Sequence, residues 1–333
     1  PNGYESFGFD NFVDGDDEAR RKNRDAIIRH EREFGVVYRE LNNEPNYNVE
    51  WKNKTMLPFR HAVKECAEAY IKESRWCLES GCQLPPLVPA PTPTDGSIGG
   101  FEKAPKNYEQ LDWENGGVTA YSDVLWLLHF LYYVADHAPD VVEAGIAIAC
   151  HNAALNHPVD FPDDSINVEE WTHKGHKPDI TQFWFEDGMP TGWSNCWRKY
   201  EAYDYIARKV FGESVPILST EGGFWQWPAD DPRYPPMSKW IQAERTKKAM
   251  LGMAVAPSYY FCTGHWCLLN SWAENPNFMW EKDAWYHGAG EHLPVVDVLK
   301  ALQPLPRQTT QEESCLLYTS PSPRDLSTSR MPS

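Results

Sequence analysis

The chain has 333 residues, 41% of them hydrophobic and 24% charged, and a formal net charge of −17 at pH 7. This is the composition of a soluble globular protein long enough to bury a full core. Its acidic balance argues against nucleic acid as a partner, because phosphate binding needs a basic surface.

After the loop-like opening "PNGYESFGFDNFVDG", helix and strand patterns alternate. "DEARRKNRDAIIRHEREFG" predicts a charged amphipathic helix stopped by Gly35. "VVYREL" predicts a strand that runs straight into Asn42-Asn43-Glu44-Pro45. "LPFRHAVKECAEAYIKESRWCLESG" carries apolar residues at helical spacing and ends at Gly81. The proline-rich "PPLVPAP" reads as a short irregular strand leading into a long Gly/Pro/Asp loop. A buried helix follows over 122–138, with Ser122 as its N-cap. Its apolar run, "VLWLLHFLYYVADHA", falls short of the ~20 residues of a membrane span and carries a His and an Asp, so no membrane crossing is expected.

"VEAGIAIACHNA" is the continuous apolar run of a parallel strand covered on both faces. A polar loop over 152–193 leads to a helix at 195–211, with Gly212 just past its end. Then come the strand "VPILSTEGG", a helix around 238–254, the strand "SYYFCTGHWCLLN" and a last helix from Pro294 to about Leu302. Strands separated by helices mean a parallel sheet, doubly wound or closed into a barrel.

Two strand ends carry a glutamate: "NNEPN" with Glu44 and "LSTEGG" with Glu221. In a (β/α) barrel the reactive residues sit at the carboxyl ends of strands. Retaining cleavage of a glycosidic bond needs two carboxyl groups about 5–5.5 Å apart, one as acid then base and one as nucleophile. Fifteen Trp, sixteen Tyr and fourteen Phe suit the flat apolar faces of sugars, or equally a core rich in aromatics.

On these motifs the chain resembles the clan A glycoside hydrolases, retaining enzymes on a TIM barrel with the acid/base ending strand four and the nucleophile ending strand seven. The resemblance covers roughly residues 17–305. It makes "VVYREL" strand four, "PPLVPAP" strand five, "GIAIACHN" strand six, "VPILSTEGG" strand seven and "SYYFCTGHWCLLN" strand eight. It implies Glu44 as acid/base, Glu221 as nucleophile and Asn43 as the amide that bonds the sugar 2-hydroxyl. His151 falls at the end of strand six, where the clan places a His or Tyr near the nucleophile. Trp266 falls where an aromatic floors the −1 sugar site, and Trp225 and Trp227 fall beyond the nucleophile as subsite aromatics. For each there is a plainer alternative: a turn or loop carboxylate, a turn amide, a satisfied core histidine, an aromatic packing the rim.

Too few residues precede Glu44 for strands one to three, so the expected fold is a (β/α)8 TIM barrel from about helix three to helix eight, over residues 1–314. The tail 315–333, "CLLYTSPSPRDLSTSRMPS", back-translates into something resembling a sequencing-library adapter and is expected to be disordered read-through.

Eight cysteines form no paired CxxC units and no small disulfide framework, and leave the redox compartment open. "HKGHKPD" (His173, His176, Asp179) fits no strong ligand spacing, and "DGDDE" at 14–18 reads as the acidic first turn of a helix. The expected activity is therefore retaining hydrolysis of β-linked oligo- or polysaccharides, with no cofactor and no metal; the oligomeric state stays open. One rival is a non-catalytic carbohydrate-binding barrel, or a piece inactive for want of strands one to three. The other is a barrel enzyme using carboxylates around a metal, disfavoured because the strand ends show no clustered third acidic or His ligand.

Overall fold

The computed structural model describes residues 17–40, 42–51, 57–93, 120–173, 195–226, 231–265, 284–286 and 291–303. Helix α1 (Asp17–Phe34) stops where Gly35 takes φ +66°, a left-handed turn that glycine adopts without strain. Helix α2 (Phe59–Glu79) buries Phe59, Ala62, Val63, Cys66, Ala67, Tyr70, Ile71, Ser74 and Cys77, a stripe at helical spacing. Helix α3 (Asp123–His137) starts at Ser122, which caps it by accepting from Leu125 N. Its Trp126, Phe130 and Leu131 are all but inaccessible, each stabilising the fold by roughly 1.5–3 kcal/mol through burial.

A short helix α4 (Pro139–Glu143) precedes strand β1 (Ile148–Ala153), and helix α5 (Ser165–His173) lies within the stretch expected to be a polar loop. Helix α6 (Lys199–Phe211) ends on left-handed Gly212 and leads to strand β2 (Ile217–Gly223). Helix α7 (Lys239–Gly252), strand β3 (Tyr260–Cys262) and helix α8 (Pro294–Lys300) complete the described elements. A fully buried ion pair, Lys199 to Asp123, joins the first turns of α6 and α3. None of the described helices is long and apolar enough to cross a membrane.

The sheet is open, parallel and three-stranded, in the order β1-β2-β3. Two single-residue parallel pairings prolong it, Val88 with Ile148 and Glu40 with Leu87. The five segments that the sequence marks as strands therefore stand side by side in chain order. The described residues show no barrel closure. The expected strand over 36–41 is likewise reduced to one pairing, and the reason is the composition of its neighbour. Pro85, Pro86 and Pro89 flank Leu87-Val88 and remove the donors a ladder needs. The backbone bonds that survive are Leu87 N to Arg39 O at 2.7 Å, Val88 N to Ala147 O at 2.8 Å and Ala149 N to Val88 O at 2.9 Å.

The two faces of the sheet differ. One packs Val88, Ile148, Cys150, Ile217 and Tyr260 against the helices in the main core. The other carries a small cluster of Leu87, Ala90, Ala147, Ala149 and Leu218, with Tyr38 against it. Side chains on a strand alternate between faces, so His151 continues the row of Ala147 and Ala149, and Glu40 shares a face with Tyr38. Glu40 and His151 thus lie on this second face.

Candidate active site

Glu44 sits in the turn after the first paired segment, at φ +39°. That region is sparsely populated by residues with a side chain, and the following proline disfavours the ordinary helical alternative. Such strain persists only where the surroundings over-determine it. Here they do. Tyr47 N bonds Glu44 O at 2.9 Å, and Trp51 Nε1 bonds Pro45 O at 2.8 Å. Asn46 is fully buried and acts as a pin: its amide donates to Thr92 O at 3.1 Å and Tyr121 O at 2.8 Å, and accepts from Thr92 N at 2.6 Å.

Glu221 reaches the same face through an irregularity in β2. Ala149 pairs with Leu218 and Cys150 with Ser219, but His151 pairs with Glu221, so Thr220 is an extra residue. Ile217 faces the helices. Strict alternation would send Glu221 there too, and the bulge turns it to the other face instead. Gly222 is required beside it, because a Cβ there would stand 2.0 Å from Asn152 Oδ1. Asn152 is itself fixed, donating to Trp197 O at 2.9 Å and Tyr260 Oη at 3.0 Å and accepting from Ser219 Oγ at 2.7 Å.

Three strand-borne groups converge. His151 Nδ1 lies 2.9 Å from Glu44 Oε1 and 3.9 Å from Glu221 Oε2, and ligand atoms of all three residues lie within 4.8 Å of one another. His151 Nε2 is 3.9 Å from Glu40 Oε1 and has no hydrogen-bond partner among the described residues. Burial alone would depress the imidazole, but the carboxyl groups of Glu221, Glu44 and Glu40 outweigh it and push it up to about 9. His151 is thus a buried cation at neutral pH. Burial pushes Glu221 up to about 7, against the attraction of His151 and with Glu44, Glu40 and Glu50 adding to the rise.

Asn43 donates to Glu50 Oε1 at 3.2 Å, so the amide offered for a sugar hydroxyl is tied within the same acidic neighbourhood. Burial raises Glu50. Trp225 lies just past Glu221 and donates through Nε1 to Gly222 O at 3.2 Å. Trp266, Trp227, His176, Asp179 and the tail 315–333 lie outside the described residues.

The chain matches no protein-family model and no curated protein.

Three residues that sequence reasoning passed over belong here. The Glu40 side chain is only 9% accessible, desolvation raises its carboxyl, and it accepts from Ala90 N at 3.1 Å. A signal for it was present: a carboxylate in the middle of a parallel strand is costly unless something nearby needs it. His265, beyond β3, is half-buried with its Nε2 inaccessible and without a hydrogen-bond partner among the described residues; desolvation holds the ring down to about 4. It crowds Gly223, where a Cβ would meet its Nδ1 at 2.7 Å. Asn46 gives no signal beyond an ordinary turn amide.

The expectation that no third ligand joins the two glutamates is corrected by His151. One imidazole and two carboxylates with ligand atoms within 4.8 Å of one another could hold a metal ion through nitrogen and oxygen, although the set is more acidic than the His-rich sites of catalytic zinc. A groove of about 700 Å³ opens elsewhere, between α6 and α7, lined by Trp197, Ile241, Arg245 and Val255 among others; Glu44, His151 and Glu221 do not line it.

Proposed function

We propose that this chain is a retaining O-glycoside hydrolase for β-linked glycans, built on the (β/α)8 barrel of the clan A enzymes. The observation that carries this is the meeting of Glu44 and Glu221, from strand ends far apart in sequence, with carboxylate oxygens within 4.8 Å of each other. That spacing suits double displacement, where the two groups flank the anomeric carbon without room for an intervening water.

Glu221 attacks the anomeric carbon as Glu44 protonates the leaving oxygen; water then enters with Glu44 as base and releases the sugar with retention. His151 holds Glu44 by a 2.9 Å hydrogen bond and places positive charge beside Glu221. Burial holds Glu221 up to about 7, so its nucleophilic form is favoured only as pH rises through that value. The rate on activated substrates then rises across the same range.

The test is chemical rescue. Glu44→Ala and Glu221→Ala are assayed on aryl β-glycosides with good leaving groups, with and without azide. General acid–base catalysis is worth roughly 10²–10⁴-fold, so each loss stands clear of ordinary mutational effects. Glu44→Ala should yield the β-glycosyl azide from the covalent intermediate, and Glu221→Ala the α-glycosyl azide by direct displacement. Swapped products would exchange the two roles. Wild-type rates in either variant would sink the reading.

The clustering of His151 with the two glutamates favours one second reading, a metal-assisted hydrolase with those three residues as ligands. Dialysis against a chelator separates the two: activity that survives it and shows azide rescue belongs to the double displacement, and activity that is lost and restored by zinc belongs to the metal.

A further inference from the structure

Helix α2 ends in a turn whose backbone bonds decide which side chains meet. Cys82 N donates to Cys77 O at 3.0 Å, and Gly81 N donates to Leu78 O at 3.0 Å. Gly81 takes φ +87°. These are the two reciprocal bonds of a Schellman cap, which closes the helix through one left-handed residue and brings the residue two beyond the end against the third from last. In most helices those two positions hold an apolar contact. Here both hold cysteine.

Both thiols are free and buried, and they interact directly with each other. We propose that Cys77 and Cys82 are a dithiol that closes to a disulfide across the α2 cap, taking a low-molecular-weight disulfide such as oxidised glutathione as oxidant.

The order of attack follows from access. Cys77 is fully buried, and Cys82 is 8% exposed. Cys82 has the Arg39 guanidinium near it, which favours its thiolate, and Glu31, which opposes it. The Cys82 thiolate attacks one sulfur of oxidised glutathione, and the first glutathione leaves as a thiolate. The Cys77 thiolate then attacks the Cys82 sulfur and expels the second. Two protein thiols are oxidised and one glutathione disulfide is reduced to two thiols; the two protons that the cysteines lose are taken up by the two departing glutathione thiolates, so none is released overall. Burial pushes Cys77 up to about 12 and raises Cys82 as well, so closure is slow at neutral pH and quickens as pH rises.

The bond would stiffen a junction that side chains already hold. Glu31 accepts from Gln83 N at 2.8 Å and pairs with Arg39, whose Nη2 donates to Leu84 O at 2.8 Å. The segment just past the cap is thereby tied to α1 and to the residue preceding Glu40.

Peptide mapping tests this on the intact chain. Protein is incubated with oxidised glutathione, alkylated in denaturant, and cut with a glutamate-specific protease, which cleaves at Glu79 between the two cysteines. The flanking peptides should stay joined until reductant is added, with a joint mass two hydrogens below the reduced pair. Cys77→Ala, which keeps a small apolar side chain at the contact, should instead hold glutathione on Cys82. The rate of closure should climb about tenfold per pH unit below the thiol range, since the thiolate is the attacking form. Full alkylation of both cysteines after oxidant would overturn the proposal. So would a lasting glutathione adduct in the wild-type chain, or pairing of either cysteine with a third one.

Discussion

Replacing Glu221 with Gln should make the protein more stable relative to wild type as pH rises, the reverse of what losing a carboxylate usually does. Burial raises the Glu221 carboxyl from 4.5 to about 7 on folding. A group raised in this way contributes stability that is fully present below about 4.5, its unfolded value, and is lost as pH rises through about 7. Each unit is worth about 1.4 kcal/mol, which sets a ceiling of about 3 kcal/mol. The side chain keeps 27% of its surface accessible, and solvent screening brings the expectation to roughly 2 kcal/mol. Glutamine keeps the shape and loses the titration, so the variant escapes the cost of ionising a buried acid. The assay is urea unfolding of both proteins at steps from about pH 4 to about pH 8, reading the difference in extrapolated stability. His151, pushed up to about 9, remains largely cationic over most of this window. A flat difference would show that Glu221 ionises in the fold as easily as in the unfolded chain. A variant that loses ground with rising pH would show that the cation at His151 dominates the site.

Glu40→Gln keeps an acceptor for Ala90 N but removes a negative charge beside His151 Nε2, so the imidazole should titrate below its raised value of about 9, as followed by NMR of the ring protons. Asn46→Ala leaves Thr92 N, Thr92 O and Tyr121 O without their partner and should cost about 3 kcal/mol in denaturant unfolding. Gly222→Ala drives a Cβ into Asn152 and should cost about 2–3 kcal/mol, while Gly81→Ala, with open space around it, should cost only about 1–2 kcal/mol from its left-handed backbone.

The helices were legible because their ends are written in single residues: Gly35 and Gly212 stop two of them, and Ser122 starts a third. The two glutamates stood out because each comes two polar residues past a strand-like run, and His151 because it closes a run of its own. The extent of pairing was not legible. "VVYREL" has the side chains of a strand, but hydrogen bonds depend on its neighbour, and the prolines around Leu87 withhold them. The bulge at Thr220 was hidden for a related reason. Side-chain pattern reports which residues are apolar, and one unpaired residue reverses the face of everything after it. Glu40 and Asn46 were missed because their roles depend on partners some fifty positions onward, at Ala90 and Thr92.

The join between the Glu40 segment and Leu87-Val88, starved of backbone donors by its prolines, bears on how any survey of variants will read. Where backbone pairing is withheld, side chains do the sewing: Glu40 to Ala90, Asn46 to Thr92. The stitches lie in the same few residues that deliver Glu44. On the proposed double displacement, a library scored only by turnover would rank Glu40 and Asn46 beside Glu44 and Glu221 and would count residues that hold the turn with those that react. Scoring the same library for abundance pulls the two groups apart. Variants that lose the Ala90 or Thr92 bond should drop out of the folded pool, and on the proposed mechanism variants of Glu44 and Glu221 should accumulate in it as well-made, silent protein.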